Sequence, residues 1–307
     1  PMSPLTGIAL KIASVCALMA MSGLVKASAD TVPPGQIVFF RSLFALPIIL
    51  AWLAWRRELA TGLRTARPLT HLTRGLVGTT AMGLMFTALG LLPLPEVTAI
   101  FYAAPILLVV FAALFLGEQV RLFRYSMVAL GMVGVLIVLS PRLAIGTGLT
   151  SDAEALGALA ALGCAILAAL AMVFVRKLVA TETTSAIVFY FSVTATLLSL
   201  LTLPWGWVRP DPATLAMLIG AGLMGGIGQI LLTSSFRYAD ASLIAPFEYT
   251  SMLLAIAVGY AVFDEVPTAP VLAGAALITL AGLMIIRRER QLGLERARQR
   301  KAASNQP

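Results

Sequence analysis

The sequence predicts an all-α membrane protein of ten transmembrane helices, arranged as two inverted five-helix repeats. Its 307 residues are 59% hydrophobic and 12% charged, with a mean hydropathy of +0.94. A soluble domain usually carries about a quarter charged residues, so this composition favours lipid as the solvent. Ten apolar runs of span length predict the number of helices, and an internal repeat predicts their division into two halves.

A transmembrane helix needs about 17–25 mostly apolar residues. The chain supplies such runs at residues 5–28, 34–55, 71–92, 96–116, 124–140, 154–175, 185–204, 213–234, 242–263 and 270–286. The fifth and tenth runs are short, so we expect them to stand nearly upright or to end in the interface.

The basic residues orient these spans. With a cytoplasmic amino terminus, the cytoplasmic loops and tail hold most Lys and Arg, including Arg74, while the external loops hold only Lys26, Arg142 and Arg209. The positive-inside rule therefore predicts that both termini are cytoplasmic. The same distribution explains the net charge of +8 by membrane topology, and we expect no nucleic-acid partner.

The two halves of the chain share residues at nearly constant spacing. Residues 37–42 align with 187–192 at an offset of 150. Further along, at an offset of 147, Gly75, Gly78, Tyr102 and Glu118 align with Gly222, Gly225, Tyr249 and Glu265. We predict one repeat over residues 1–145, a second over 150–288 and a basic cytoplasmic tail over 289–307. Because each half has five spans, the second enters the membrane inverted, as in many secondary transporters.

Ionisable residues inside spans usually face a cavity or a partner. Lys11 and Glu248 each lie about six residues from the cytoplasmic ends of their helices, or roughly 9 Å deep. Equal depth and opposite charge predict an ion pair that serves as an inner gate or a site for the substrate head group. In the alternative interpretation, Lys11 extends to the interface.

Arg41 lies near the outer end of the second span, and two interpretations stay open. Its planar guanidinium suits a substrate carboxylate. Alternatively, and preferred on sequence alone, it forms a structural pair with Glu96 or Asp30, or caps a helix end. Its repeat mate is Phe191, so any role of Arg41 exists in one half only.

Several polar and aromatic residues inside spans are candidates to line a transport pathway. They are Ser22, Thr79, Thr80, Tyr102, Gln229, Phe247, Tyr249 and Ser251. Packing or lipid-facing positions explain the aromatic residues equally well. Pro105 and Pro246 remove backbone donors and should kink their helices as hinges, whereas the repeated glycines favour close helix packing.

Nothing in the sequence favours an enzyme, a metal site or a cofactor. The single histidine, His71, is interpreted as an interfacial residue, and the Cys/His residues lack metal-binding spacing. Gly225-Gly226-Ile227-Gly228 has no Lys-Ser or Lys-Thr after it and is not a phosphate-binding loop. Cys16 and Cys164 are expected to be buried thiols.

The chain resembles the EamA-type proteins of the drug/metabolite transporter superfamily. The resemblance rests on Phe40-Arg41-Ser42, on the run from Thr98 to Pro105, on Leu116-Gly117-Glu118 and on the echoes Ala245-Pro246-Phe247-Glu248-Tyr249 and Phe263-Asp264-Glu265. It implies a basket of ten helices around a central cavity, and export of small metabolites, often amino acids, across the bacterial inner membrane. The length and plan most resemble the YddG-type amino-acid exporters.

From these observations we expect a secondary transporter that works by alternating access, with a small metabolite and the lipid bilayer as partners, and a monomer as the functional unit. Three alternatives stay open. They are an exporter of drugs or nucleobases, a membrane assembly or lipid-handling protein without a solute cavity, and a membrane enzyme, which the residues support least.

Overall fold

The computed structural model describes residues 4–59, 62–116, 122–142, 151–179, 181–238 and 245–304, and these residues are helical apart from short connections. The first half contains α1 (Pro4–Ser28), α2 (Pro34–Trp55), α3 (Pro68–Leu91), α4 (Leu94–Phe101), α5 (Ala103–Leu116) and α6 (Leu122–Leu139). The fourth predicted span is thus two helices, α4 and α5, separated at Tyr102.

The second half contains α7 (Asp152–Val179), α8 (Thr184–Ser199), α9 (Pro212–Tyr238), α10 (Thr250–Phe263) and α11 (Ala269–Ser304), with 3-10 turns at Leu200–Thr202 and Ala245–Tyr249. Helix α11 continues beyond the predicted end at residue 286, because the tail is rich in Arg, Glu, Gln, Leu and Ala, all good helix formers. Gly117 and Glu118 lie outside the described residues, and with them the predicted match of Glu118 to Glu265.

Helix starts follow from local sequence. Helices α2, α3 and α9 begin at proline, whose missing N–H would be unsatisfied at that position in any case. At the start of α7, the Ser151 hydroxyl accepts the Glu154 N–H at 3.2 Å and the Glu154 carboxylate accepts the Ser151 N–H at 3.3 Å. This capping box satisfies two backbone donors that the helix leaves free.

Seven helices in the described parts of the chain are long and apolar enough to cross a membrane. They are Leu5–Ser28, Pro34–Trp55, Leu94–Phe115, Asp152–Val175, Thr184–Thr202, Pro212–Leu232 and Ala269–Arg288. Helix α3 is not among them, since it is rich in Thr and Gly and carries His71 and Arg74. Large apolar side chains such as Leu114, Leu136 and Leu253 are exposed on the outside of the bundle, as expected where lipid is the solvent.

The helix pairs follow the internal repeat: when each helix is replaced by its mate in the other half, the same set of pairs results. Helix α1 packs on α9 and α7 packs on α3, while α2 packs on α8 and α6 on α11. Glycines permit these close approaches: a Cβ at Gly75 of α3 would lie 2.5 Å from Thr194 Cγ2 of α8, and a Cβ at its repeat mate Gly222 would collide with Phe44 of α2. Phe44 and Thr194 are themselves repeat mates at the offset of 150.

The core lies where α3, α4, α5 and α7 meet. Its largest fully buried side chains include Phe86, Leu89, Ile100, Tyr102 and Ile106. The face on which α1 begins is called the amino-terminal face below, and the opposite one the far face. Helices α3, α6, α8 and α10 also begin at the amino-terminal face.

Candidate functional site

Lys11 and Glu248 form an ion pair between the first and second halves of the chain. Lys11 lies two turns inside α1 and is only 4% exposed, whereas the Glu248 side chain, in the 3-10 turn before α10, is 41% exposed. The pairing agrees with the sequence prediction, and Lys11 does not extend to the interface. Its role in gating or substrate binding stays a prediction.

Tyr102 occupies the interruption between α4 and α5. Its hydroxyl lies 2.6 Å from the Ser251 hydroxyl, and its ring meets that of Tyr249, its repeat mate, edge-on at 5.1 Å. Pro105 lies in the first turn of α5 and provides no N–H for the Phe101 carbonyl, which accounts for the break. Pro246 lies in the 3-10 turn, so the chain leaves α-helical geometry near each proline. Whether these breaks act as hinges stays a prediction.

Arg41 is buried, with 4% of its surface exposed, and its Nε has no hydrogen-bond partner among the described residues. The side chain packs against α9: a Cβ at Gly225 would lie 3.0 Å from the Arg41 Nε and 3.0 Å from the Met21 sulfur. The expected structural pair with Glu96 is wrong, because Glu96 binds Arg142 instead. Its other predicted partner, Asp30, forms no ion pair within the described part of the chain.

Arg74 is a second cation in the interior, which sequence reasoning assigned to the basic cytoplasmic residues. It lies two turns inside α3 with its guanidinium over the Phe191 ring, 3.8 Å from the ring centroid. Its Nε and Nη1 atoms are buried and have no hydrogen-bond partner in the described chain.

The far face is tied by ion pairs and hydrogen bonds that the sequence analysis did not identify. Lys26 of α1 binds the Glu265 carboxylate at 2.8 Å, and the other Glu265 oxygen accepts the Leu94 N–H at 2.8 Å. Arg142 joins Glu96 at 2.9 Å and Glu154 at 2.8 Å. The Lys26–Glu265 and Arg142–Glu154 contacts each connect the first half of the chain with the second.

On the amino-terminal face, Glu182 joins the loop before α8 to the loop before α3. Its carboxylate accepts the Ala66 N–H at 2.8 Å and the Thr65 hydroxyl at 3.1 Å. Burial alone would raise the pKa of Glu182, but these hydrogen bonds outweigh it and hold the pKa below its ordinary value. His71, in the first turn of α3, is buried with its Nε2 atom 3.7 Å from this carboxylate and its ring against Tyr190.

The remaining predicted residues are spread through the bundle. Thr79 is buried and its hydroxyl has no partner within the described residues, whereas the Ser22 hydroxyl binds the Leu18 carbonyl of its own helix. Gln229 and Phe247 are half-buried. Thr80 is exposed and bonds its own helix, which makes it the weakest of the candidates to line a pathway.

Two features can therefore recognise charge. The Lys11–Glu248 pair presents opposite charges that a zwitterion can match. Arg41 and Arg74 are two cations with buried nitrogens that have no hydrogen-bond partner among the described residues.

The sequence and the fold are both similar to those of known proteins. The pseudopaline exporter CntI of Pseudomonas aeruginosa is 30% identical over 286 residues, which cover 92% of this chain and 96% of that protein. The S-adenosylmethionine uptake transporter of Rickettsia felis is 27% identical over 290 residues, covering 94% of each chain. A crystal structure with 22% identity covers 94% of this chain and 99% of its own, with a TM-score of 0.66, and supports the fold.

The model of the EamA-like transporter family matches residues 5–140 and 155–287, which include both halves of the bundle and both residues of the Lys11–Glu248 pair. Relatives that carry the same plan over nearly their whole length are transporters of small metabolites. Together with its membrane-spanning helices, these matches show that the chain is a multi-pass membrane protein of the EamA-like transporter family, within the drug/metabolite transporter superfamily.

Proposed function

We propose that this protein exports amino acids and related small metabolites across the bacterial inner membrane by alternating access, as a YddG-type exporter. The observation that carries the proposal is the Lys11–Glu248 ion pair between the two halves. An amino acid bears the same two charges: its carboxylate matches Lys11 and its ammonium group matches Glu248. A substrate that takes both partners opens the contact as it binds.

Ten spans in two inverted repeats supply the two states that alternating access needs. The contacts of repeat mates support this plan, since Gly225 packs on Arg41 and its mate Gly78 packs on Phe191, the mate of Arg41. In this arrangement α3, α6 and α10 also cross the membrane. The repeats comprise residues 1–145 and 150–288, followed by a cytoplasmic tail at 289–307.

A chain that contains both related halves can enclose a central, basket-like cavity as a monomer. The charge distribution supports a cytoplasmic amino-terminal face, because the far face carries few basic residues and most of those described are engaged in ion pairs. Export is the proposed direction, as for the pseudopaline exporter of Pseudomonas aeruginosa. Uptake, as in the S-adenosylmethionine transporter of Rickettsia felis, is the alternative.

Transport into proteoliposomes tests the proposal. We expect the purified protein to take up radiolabelled amino acids saturably, with inhibition by competing amino acids and acceleration by a pH gradient. Glu248→Gln should slow transport about tenfold or more, because charged contacts are worth roughly 1.5–3 kcal/mol, and should remove the dependence on pH. Glu58→Gln, at the exposed pair with Arg56, is the matched control.

The outcomes separate the alternatives. Transport of other metabolites but no amino acid would move the substrate to another class and keep the mechanism. Folded protein that transports no solute would favour an assembly or lipid-handling role. Unchanged transport and pH dependence in Glu248→Gln would contradict the proposed role of the ion pair.

A further inference from the structure

We propose that Arg41 and Arg74 bind carboxylate groups of the transported substrate, so that the preferred substrates carry a net negative charge, such as acidic amino acids and dicarboxylates. The inference rests on the proposed function, because it places the substrate between the two halves, and it deepens that function by naming the substrate class.

Arg41 and Arg74 carry charge that no described residue compensates. Arg41 is only 4% exposed, and its Nε has no hydrogen-bond partner among the residues that the structure describes. The Nε and Nη1 atoms of Arg74 are also buried and also lack a hydrogen-bond partner among these residues. Buried guanidiniums are normally paired, since an unpaired buried charge is costly. Two such cations, whose buried nitrogens have no partner among the described residues, attract anions into the interior.

Close packing holds the two side chains in place. Arg41 lies against Gly225, where a Cβ would be 3.0 Å from its Nε, and Phe191 lies against Gly78 in the equivalent place. Arg74 then stacks on Phe191 at 3.8 Å. Stacking uses one face of the guanidinium plane and leaves its edge, where the N–H donors lie, free to bind.

The two repeats differ at the positions of Arg41 and Arg74. The two-fold relation places Phe191 opposite Arg41, and Ala221 is the mate of Arg74 at the offset of 147. Helix packing at these positions therefore does not require arginine, since the second half packs there with Phe and Ala. The charge is present in one half only, as expected for recognition of an asymmetric ligand.

Arg41 lies apart from the Lys11–Glu248 pair. Arg41 and Met21 both face Gly225, and Met21 lies ten residues beyond Lys11 on α1, which corresponds to about 15 Å along the helix axis. A substrate moving through the bundle would meet the ion pair and Arg41 at different depths. The ion pair selects a zwitterionic head group, and the arginines select additional negative charge.

Binding to the purified full-length protein in detergent tests this proposal. The probes are L-glutamate, L-glutamine and L-lysine, which are similar in length and differ in side-chain charge, together with succinate, which lacks the amino group. Competition against radiolabelled glutamate, in gluconate buffer without chloride, gives relative affinities. We expect glutamate to bind at least about tenfold more tightly than glutamine, and lysine to bind most weakly.

Arg41→Gln and Arg74→Gln should each reduce the preference for glutamate over glutamine to about twofold or less, because a neutral amide supplies no charge. Arg41→Lys and Arg74→Lys should retain part of it. Arg56→Gln, on the same helix as Arg41 but paired with Glu58 on the exposed end, should retain all of it. Thermal unfolding of each variant is measured in parallel, and the Gln variants should be as stable as the parent or more so, since a buried charge is removed.

Several outcomes would overturn the inference. Equal affinity for glutamate and glutamine in the parent protein would do so while leaving amino-acid transport intact. A large loss of stability in both Gln variants would assign the arginines a structural role. Stabilisation by chloride that depends on Arg41 and Arg74, without any preference among the organic probes, would identify a resident inorganic anion. By contrast, arginine-dependent succinate binding without amino-acid transport would support the anion site and reject only the proposed amino-acid export.

Discussion

Glu182 connects two loops that come from different halves of the chain. Through one carboxylate oxygen it accepts hydrogen bonds from Ala66 and Thr65, and its other oxygen faces His71. Because the loops themselves bury little apolar surface, such a polar contact has a large share in holding this face of the bundle together.

Glu182→Gln should therefore lower the unfolding temperature by a few degrees at neutral pH. The folded-state pKa of Glu182 lies below its ordinary value of 4.5, so the charged form contributes stability above that value and loses it as pH falls through the folded-state pKa. The difference between parent and variant should shrink on acidification. Thermal unfolding in detergent from pH 7 down to about pH 3 measures it, with Glu58→Gln as control. A difference that grows on acidification would contradict this account.

Individual residues differ in how far the sequence predicts their contacts. The Lys11–Glu248 pair follows from helix ends and a fixed rise per residue, since two opposite charges at one depth in lipid have strong reason to meet. The predicted pair of Arg41 with Glu96 was wrong. Both residues lie toward the same face of the membrane, but Arg142 binds Glu96 instead. Arg74 was assigned to a loop because its contact with Phe191 requires α3 to pack on α8.

At the scale of helices, glycine positions set how closely elements approach. On α3, a Cβ at Gly75 would lie 2.5 Å from Thr194 Cγ2 and 2.8 Å from its Cβ, whereas a Cβ at Gly83 would meet no atom within 4 Å. The short stem of Thr194 cannot turn away, so α3 and α8 would have to separate.

Gly75→Ala should destabilise the protein by about 1–3 kcal/mol through overpacking. Gly83→Ala, on the same helix, should be neutral or stabilising by up to about 1 kcal/mol, because alanine favours the helix. Unfolding of both variants in detergent, monitored by loss of helical signal, compares them directly. Equal effects at the two positions would show that α3 and α8 do not pack as described.

The helices themselves were predictable for a physical reason. Lipid forces each backbone donor and acceptor to bond within its own helix, so an apolar run of span length has few other structures available. The interruptions near Pro105 and Pro246 follow from missing N–H groups, but the position of the break at Tyr102 depends on its contacts with Ser251 and Tyr249. Those contacts come from the other half of the chain and have no local sequence signal.

At the scale of the whole molecule, contacts between the halves occur on both faces. Lys26–Glu265 ties the far face, and Glu182 with its loop partners ties the amino-terminal face, while Lys11–Glu248 lies inside the bundle. Under alternating access the ties on the two faces must open in turn, because a pathway to one side is closed by contacts on the other. A permanent link across the far face should therefore stop the transport cycle.

Lys26→Cys with Glu265→Cys, made in a variant with Cys16 and Cys164 replaced by Ala, tests this expectation. Joining the two thiols with a short reducible crosslinker should abolish transport in proteoliposomes, and reduction should restore the rate of the unlinked variant. The control is Glu96→Cys with Arg142→Cys, which replaces another far-face ion pair but links two positions within the first half. Its crosslinking should leave the rate unchanged, because the halves stay free to move. If both crosslinks were tolerated, far-face opening between α1 and the segment after α10 would not be part of transport, and the moving contact would have to lie elsewhere between the repeats.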